Sequence, residues 1–175
     1  MKMNVNTHEI ENVQTRSLNS SRLLDNNMGV RSIFIDDTDL LWVGTAKCGV
    51  AYMGQNIYKF EPKMTGDITA LAEDSEGKLW YGTSDRGIIG YEGLLASKRI
   101  SALAYTRDGS LWVGSPQNGL TRIKNGTAQI YSVANDTTHR IMIDDHINAL
   151  TSDKMGNLWI ATDGGLQAYN PKVNQ

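Results

Sequence analysis

"GKLWYGTSDRGIIGYE", from Gly77 to Glu92, is one of four versions of the same stretch in this chain. The other three are "DLLWVGTAKCGVAYMG" from Asp39, "GSLWVGSPQNGLTRIK" from Gly109 and "GNLWIATDGGLQAYNP" from Gly156. In each version a Trp is preceded by Leu, and a Gly-Thr, Gly-Ser or Ala-Thr pair follows one residue later. Similarity that recurs every few tens of residues indicates a repeat architecture.

The four Trp residues set the frame of the repeat, and apolar positions upstream keep a fixed distance from them. They are Trp42, Trp80, Trp112 and Trp159, spaced 38, 32 and 47 residues apart (80−42, 112−80, 159−112). Twelve residues before each Trp is a β-branched side chain: Val30, Ile68, Ile100 or Ile147. Nine residues before it is Ile33, Leu71, Leu103 or Leu150. Regularity over four copies favours four units of the same structure.

Each unit has the pattern of short strands. "ITALAED", "LWYGTS" and "GIIGYEG" are β-compatible segments separated by turn residues, and helical periodicity is absent. Three or four antiparallel strands in about 40 residues are typical of a β-propeller blade. We therefore predict an all-β propeller with four Trp-centred blades, at about 28–62, 66–97, 99–135 and 146–171. The four blades are either a complete unit or a segment of a larger propeller.

The alternation within a strand predicts what the Trp residues do. In Leu79-Trp80-Tyr81-Gly82 neighbouring side chains point to opposite faces, yet neither face is polar, so both faces are expected to be buried. Gly82 has no side chain, which lets an adjacent blade approach closely. The Trp residues are therefore predicted to pack between blades. The alternative is that they are platforms on which sugars stack.

Composition excludes several classes of function. A chain of 175 residues can build one domain, and its net charge of −2 gives no electrostatic case for nucleic acid. No apolar run is long enough for direct membrane insertion, and the first residues lack the apolar segment of a signal peptide. The chain is cytosolic, or has lost a signal, or is a piece of a longer protein. Its one cysteine, Cys48, excludes an internal disulfide.

The pattern Asp-x-x-Gly-x-Leu-Trp-x-Gly-Thr resembles the two-component regulator propeller repeat. The second copy matches it best, at Asp74, Gly77, Leu79, Trp80, Gly82, Thr83 and Gly87. Three positions depart from it: Asp39 replaces Gly, Thr106 replaces Asp and Ala161 replaces Gly. The resemblance implies a sensor propeller of a bacterial hybrid two-component system, placed in the periplasm. It also implies a module for signal transduction, in a family where many members sense carbohydrates.

The acidic turns and the histidines can also be interpreted as metal or catalytic sites, and both interpretations are weak. The turns at Asp36–Asp39 and Glu73–Gly77 hold carboxylates, but they are too short for a calcium loop and are predicted to be structural. The segment His139–His146 has two imidazoles and two carboxylates without a known metal-ligand spacing. No nucleophile is paired with a base. We therefore predict no catalytic residue, no metal and no cofactor.

Loops that differ between copies are the best candidates for binding, because rigid scaffolds carry binding residues on their loops. The loops after the Trp strands and the connections between blades are expected to share one face, which would also carry Asn26, Asn27 and Asp145. The predicted ligand-binding residues are Lys47, Asp85, Arg86, Lys98, Arg99, Gln117, Asn118, His139, Arg140 and Asp163. A guanidinium such as that of Arg86 suits carboxylates or sulfates, which favours an anionic oligosaccharide.

Non-catalytic recognition of a small molecule or oligosaccharide by a sensor module is therefore the predicted function. A structural or protein-interaction scaffold is the alternative, and a propeller lyase is the third. The N-terminal residues 5–18 are predicted to close the propeller: Ile10 to Leu18 would pair with the strand around Leu166 to Tyr169. The segment could pair with the last blade of its own chain or with that of a second copy. Pairing with a second copy would give an eight-blade dimer that associates through blade edges.

Overall fold

The computed structural model describes residues 2–3, 10–11, 29–46, 49–53, 61–64, 66–89, 95, 97–135 and 142–171. These residues form strands and turns, and the described part of the chain contains no helix. The first eight strands are β1 (Lys2–Met3), β2 (Ile10–Glu11), β3 (Val30–Ile35), β4 (Leu41–Thr45), β5 (Gly49–Met53), β6 (Glu61–Met64), β7 (Ile68–Glu73) and β8 (Leu79–Thr83). The other seven are β9 (Ala102–Thr106), β10 (Ser110–Gly114), β11 (Leu120–Lys124), β12 (Thr127–Tyr131), β13 (Ile147–Ser152), β14 (Leu158–Thr162) and β15 (Gly165–Tyr169).

Four antiparallel sheets follow one another along the chain, and each contains one of the four Trp residues. Blade 1 has the strand order β3-β4-β5-β6, blade 2 has β7-β8, blade 3 has β9-β10-β11-β12 and blade 4 has β13-β14-β15. In blade 2 a bridge between Gly82 and Ile88 continues the sheet beyond β8. The predicted all-β propeller with four Trp-centred blades is confirmed. β6 extends to Met64, two residues past the predicted end of blade 1.

The first strands of the four blades lie side by side around the propeller axis. β3 contacts β7, β7 contacts β9, and β9 contacts β13. The second and later strands of each blade lie progressively further from these inner strands. This arrangement places the first strand of every blade next to the axis, where a propeller has its central channel.

One Asp organises the turn between the first two strands of a blade and also holds the Trp. In blade 2, the Asp74 carboxylate accepts hydrogen bonds from the backbone N–H groups of Glu76 (3.0 Å) and Lys78 (2.9 Å). Its other oxygen accepts the indole N–H of Trp80 at 2.9 Å. Asp36 and Asp153 bind the indoles of their own blades at 2.7 and 3.0 Å. The acidic turns are therefore structural, as predicted.

Blade 3 replaces this Asp by Thr106 and keeps the contact by another route. The Trp112 indole donates to Thr106 Oγ1 at 3.0 Å, and Thr106 Oγ1 donates to Asp108 Oδ1 at 2.6 Å. Asp108 is also ion-paired to Arg122 (2.6 Å) and Lys124 (3.0 Å). Burial opposes ionisation of Asp108, but these hydrogen bonds hold its pKa well below the usual range. The departure of this repeat from the motif is thus compensated within the same turn.

Among the described residues, packing between blades forms three apolar cores. The front face of a blade, which carries its Trp, meets the back face of the next blade. Trp42 packs on Ile68 and Leu71, and Trp80 packs in one cluster with Ile100 and Leu103. Trp112, the most deeply buried of the four, packs on the residues of blade 4: Ile147, Leu158, Ile160 and Tyr169. Burial at these three positions confirms that the Trp residues serve as core.

The outer faces of the first and last blades lack this cover. Trp159 in blade 4 is 37% exposed, whereas the three other Trp residues are at most 8% exposed. Packing of the Trp between blades is therefore confirmed for three copies and fails for the fourth. The physical reason is that none of the described residues forms a blade in front of blade 4. The described residues of the four blades form an open arc.

Part of the predicted closing strand can be compared with the structure. Ile10 and Glu11 pair with Met3 and Lys2 in a small antiparallel sheet. β15 pairs with β14, and no described strand lies on its other edge. Residues 12–18 lie outside the described part of the chain. Closure of the last blade by this segment therefore stays a prediction.

Candidate functional site

A cavity of about 510 Å³ opens where the first strands of all four blades end. This volume falls within the range of small-molecule sites in proteins. Ile33, Leu71, Leu103 and Leu150, one from each blade, contribute apolar surface. The other lining residues are Phe34, Asp37, Ala72, Glu73, Asp74, Ser75, Ala104, Tyr105, Thr151 and Ser152. The cavity therefore combines an apolar wall with a polar rim.

The polar rim is made by the ends of the first strands and by the turns that follow them. Ser75 Oγ lies 3.4 Å from Tyr105 Oη, which joins the rims of blades 2 and 3. Ser152 Oγ donates to the Tyr105 carbonyl at 2.9 Å, which joins blades 3 and 4. These bonds cross blade boundaries and hold the rim in one arrangement. Hydroxyl groups at such positions can both donate and accept hydrogen bonds.

Carboxylates dominate the blade 1 and blade 2 side of the rim. Glu73 Oε2 accepts the backbone N–H of Asp37 at 3.3 Å, across the boundary between the two blades. Burial raises the pKa of Glu73, and the negative charges of Asp37, Asp36 and Asp74 add to the effect. Within the described residues, the Asp37 carboxylate has no hydrogen-bond or ion-pair partner. This side of the cavity is therefore suited to hydrogen-bond donors or cations.

The loops predicted to bind a ligand lie on the opposite face of the arc. Their backbones are hydrogen-bonded to the connections between blades: Gly49 N–H to the Gly66 carbonyl (2.9 Å), Gly87 to Lys98 (2.7 Å) and Gly119 to Asp145 (3.1 Å). The prediction that these loops and connections share a face is confirmed. Because they follow the second strand of each blade, they are at the other end of the sheet from the cavity rim.

Each predicted residue on this face has a local environment of its own. Asp85 and Arg86 are exposed and ion-paired at 3.7 Å, and the Arg86 guanidinium lies against Gly66. Lys98 and Arg99 are exposed in the next connection, close to the same loop. Asp163 accepts the Asn148 side-chain amide at 2.7 Å. Gln117 and Asn118 are exposed, and their backbone N–H groups donate to Ser115 Oγ.

The structure thus brings Asp85, Arg86, Lys98 and Arg99 into one neighbourhood and leaves Gln117, Asn118 and Asp163 on the loops of other blades. Lys47, His139 and Arg140 lie outside the described residues, as do Asn26 and Asn27. None of the predicted residues that the structure describes lines the axial cavity. Binding at this face stays a prediction.

A family model for the two-component regulator propeller matches residues 63–85, 94–117 and 141–164. The chain contains repeats of the two-component regulator propeller type. The matched segments contain the Trp residues of blades 2, 3 and 4, so the predicted resemblance is confirmed. Blade 1 has the same turn, the same indole contact and the same strand order, although the family model does not cover it.

Solved structures share the fold of this two-component regulator propeller chain. An extracellular domain of the one-component system BT4673 from B. thetaiotaomicron is 22% identical with a TM-score of 0.70, over 95% of this chain and 24% of that one. Another structure of the BT4673 extracellular domain, there a hybrid two-component system, is 23% identical with a TM-score of 0.62, over 79% and 21%. The chain therefore spans about a quarter of the BT4673 domain. No curated protein matches significantly.

A lyase also shares the fold. A catalytically inactive virginiamycin B lyase from Staphylococcus aureus, solved with quinupristin, is 15% identical with a TM-score of 0.60, over 83% of this chain and 57% of the lyase. At this identity the likeness concerns the fold alone. In the described part of the chain, no three or more His, Cys, Asp or Glu side chains come close enough to hold a metal ion. No helix among those residues is long and apolar enough to span a membrane.

The axial cavity was missed at the sequence level, although the repeat contains a signal for it. Seven residues before the Trp, the four copies have Ile35, Glu73, Tyr105 and Ser152, and no two are alike. Three of these four residues line the cavity. The inner strands therefore vary between copies as the loops do. Such variation does not by itself indicate a binding site, because an apolar side chain on an inner strand is usually buried in the core.

Proposed function

We propose that this chain is the ligand-recognition part of an extracytoplasmic sensor, and that it binds a small molecule or oligosaccharide at the axial cavity without catalysing a reaction. The observation that carries the proposal is the cavity of about 510 Å³, to which all four blades contribute side chains. Seven residues before the Trp, blades 2, 3 and 4 contribute Glu73, Tyr105 and Ser152 to the lining, so equivalent positions there carry different side chains. An asymmetric ligand requires such asymmetry, because four identical surfaces could not match it.

The chemistry of the lining favours a ligand with many hydroxyl groups. The carboxylates of Asp37 and Glu73 accept hydrogen bonds from hydroxyls, and bonds to a charged group are among the stronger ones. Ile33, which is 70% exposed, and the half-buried Leu150 offer apolar surface to the C–H face of a sugar ring. The acidic rim disfavours an anion. We therefore propose a neutral oligosaccharide for the cavity, while an anionic one would fit the loop face near Arg86.

An extracytoplasmic position is supported by the family and by the shared fold of the BT4673 extracellular domain. Proteins of a two-component system couple a recognition event to a response, so recognition by this module would be the input to a signal. The specific proposal is that this chain senses a carbohydrate in the periplasm.

Calorimetric titration tests the proposal and separates the two faces. Neutral, uronic-acid and sulfated oligosaccharides would be titrated into the wild-type chain, into Asp37→Ala and into Arg86→Ala. Both side chains are exposed, which makes the folds of the variants comparable. A hydrogen bond to a charged group contributes about 1.5–3 kcal/mol, so its loss weakens binding by about tenfold or more. We expect a neutral glycan to bind, with only Asp37→Ala weakened.

The other outcomes favour different functions. A weakened Arg86→Ala with an unchanged Asp37→Ala would move the site to the loop face and refute the cavity. Absence of binding to every glycan would favour the scaffold, in which the same fold meets another protein. Turnover of a streptogramin by the chain would show a lyase and would contradict the non-catalytic role.

A further inference from the structure

One position of the turns at the cavity rim carries a different charge from blade to blade. The residue that follows the indole-binding Asp or Thr is Asp37, Ser75, Arg107 and Lys154 in blades 1 to 4. Asp37 and Ser75 line the cavity. Because the four turns are equivalent in the repeat, Arg107 and Lys154 occupy the matching places in the other two blades. Around the axis, this position therefore changes from a carboxylate to two cations.

Contacts between blades show how this position lies relative to the cavity. The backbone N–H of Asp37 donates to Glu73 Oε2 of blade 2 at 3.3 Å, and Ser75 Oγ lies 3.4 Å from Tyr105 Oη of blade 3. In both cases the turn residue meets the side chain seven residues before the Trp of the next blade, and that side chain lines the cavity. The same relation predicts that Arg107 borders the cavity at the boundary between blades 3 and 4.

Most other charges of these turns are already engaged. Three carboxylates each accept the indole N–H of their own blade: Asp36, Asp74 and Asp153. Asp108 is ion-paired to Arg122 and Lys124, and the Lys78 ammonium lies over the Trp80 ring. Within the described residues, the exposed side chains of Asp37, Arg107 and Lys154 have no hydrogen-bond or ion-pair partner. These three charges are therefore available to a ligand.

The two sides of the rim favour opposite charges. Asp37 and Glu73 attract a cation, whereas the guanidinium of Arg107 suits a carboxylate, with which it can form two parallel hydrogen bonds. In the described part of the chain no ion pair joins the two sides, so they do not neutralise each other. Complementary charges at two separate places also fix the orientation of a ligand.

We infer that the axial cavity binds a zwitterionic saccharide, with its ammonium group at Asp37 and Glu73 and its carboxylate at Arg107 and Lys154. The inference rests on the proposed function and specifies the ligand, which is neutral overall but carries one charge of each sign. A saccharide with only an acidic group would find a complementary charge on one side of the rim and a repulsive charge on the other.

Calorimetric titration with a matched set of saccharides tests the inference. The parent is the neutral oligosaccharide that binds best in the titration above. Three derivatives carry an amine in place of one ring hydroxyl, a carboxylate in place of one primary alcohol, or both. We expect the derivative with both groups to bind tightest, and each group to tighten binding by about tenfold, which is the effect of one hydrogen bond to a charged group.

Two double variants locate the gain in affinity. Arg107→Ala/Lys154→Ala should lose the gain that the carboxylate provides and keep the gain that the amine provides. Asp37→Ala should do the reverse. The control is Lys98→Ala/Arg99→Ala, which removes the same two charges from exposed residues of the opposite face and should keep both gains.

The outcomes separate this inference from the proposed function. If the parent binds and Asp37→Ala weakens it, but neither added group tightens binding, the proposed function stands and the zwitterionic ligand is wrong. Equal losses in the two double variants would mean that overall charge is responsible, which also overturns the inference. Tighter binding of a dipeptide that carries the same two charges would assign the rim to a peptide instead. If no saccharide binds, the proposed function fails and the inference fails with it.

Discussion

Replacing Trp80 or Trp159 by Ala compares one side chain in two environments within the same repeat. Both indoles donate to the Asp six residues before them, at 2.9 and 3.0 Å. Trp80 is 7% exposed because blade 3 covers it, and Trp159 is 37% exposed because no described blade covers it. The local hydrogen bond is therefore the same, and the packing of the next blade is the main difference.

The expected magnitudes follow from buried area. A Trp side chain buries about 200 Å², and apolar burial is worth about 25 cal/mol per Å². Burial of 93% at Trp80 (100−7) then contributes about 4.7 kcal/mol, and burial of 63% at Trp159 (100−37) about 3.2 kcal/mol. Trp80→Ala also leaves a closed cavity, while the site of Trp159 is open to water. We expect Trp80→Ala to cost about 3–5 kcal/mol, and Trp159→Ala at least about 1.5 kcal/mol less.

Urea unfolding of the wild-type chain and of the two variants checks this prediction. The Lys78 ammonium lies 4.0 Å from the centre of the Trp80 ring and adds up to about 1 kcal/mol to that site. Equal losses for the two variants would refute the reasoning, since cover by a neighbouring blade would then contribute nothing. A loss below about 1 kcal/mol at Trp80 would mean that it is not a core residue.

Three further predictions concern the blade boundaries and the acidic turns. Gly114→Ala places a Cβ 2.5 Å from Cγ2 of Ile147 and should lower the free energy of unfolding in urea by about 1–3 kcal/mol. The control is Gly29→Ala, whose added Cβ has its nearest atom at 3.7 Å and should change that free energy little. Glu73→Gln should raise the thermal midpoint at pH 7, because the raised pKa of Glu73 means that ionisation of this carboxyl opposes folding. The gain in thermal midpoint should vanish in acid, where the carboxyl of the wild-type protein is protonated. Hydrogen bonds from Asn157 and neighbouring groups lower the pKa of Asp153 to about 2, below the unfolded value of about 3.9. The ionised carboxylate therefore stabilises the fold above pH 4, and this stabilisation is lost as the pH falls towards 2. The thermal midpoint of Asp153→Asn should fall less over that range than the thermal midpoint of the wild type.

Much of the fold follows from local pattern. Four copies of Leu-Trp with a fixed upstream spacing predicted four blades, and alternation along the strand predicted which side chains point to which face. The structural role of the acidic turns was also predictable, because Asp and Gly favour turns for local reasons. That Asp74 also binds the Trp80 indole was not predicted. The two residues are six apart, and only the hairpin brings the carboxylate to the ring.

The remaining features depend on which blade lies next to which. The cavity exists because Leu71, Leu103 and Leu150 come from three different blades and converge at the axis. The exposure of Trp159 likewise has no local cause, since its preceding Leu and its bond to the Asp six residues earlier are the same as at the buried Trp42 and Trp80. The period of a strand determines that a side chain points to one face, but burial requires a second surface opposite that face. The chain's own residues specify the faces of each blade, and the arrangement of blades around the axis decides which faces become core, cavity or contact surface.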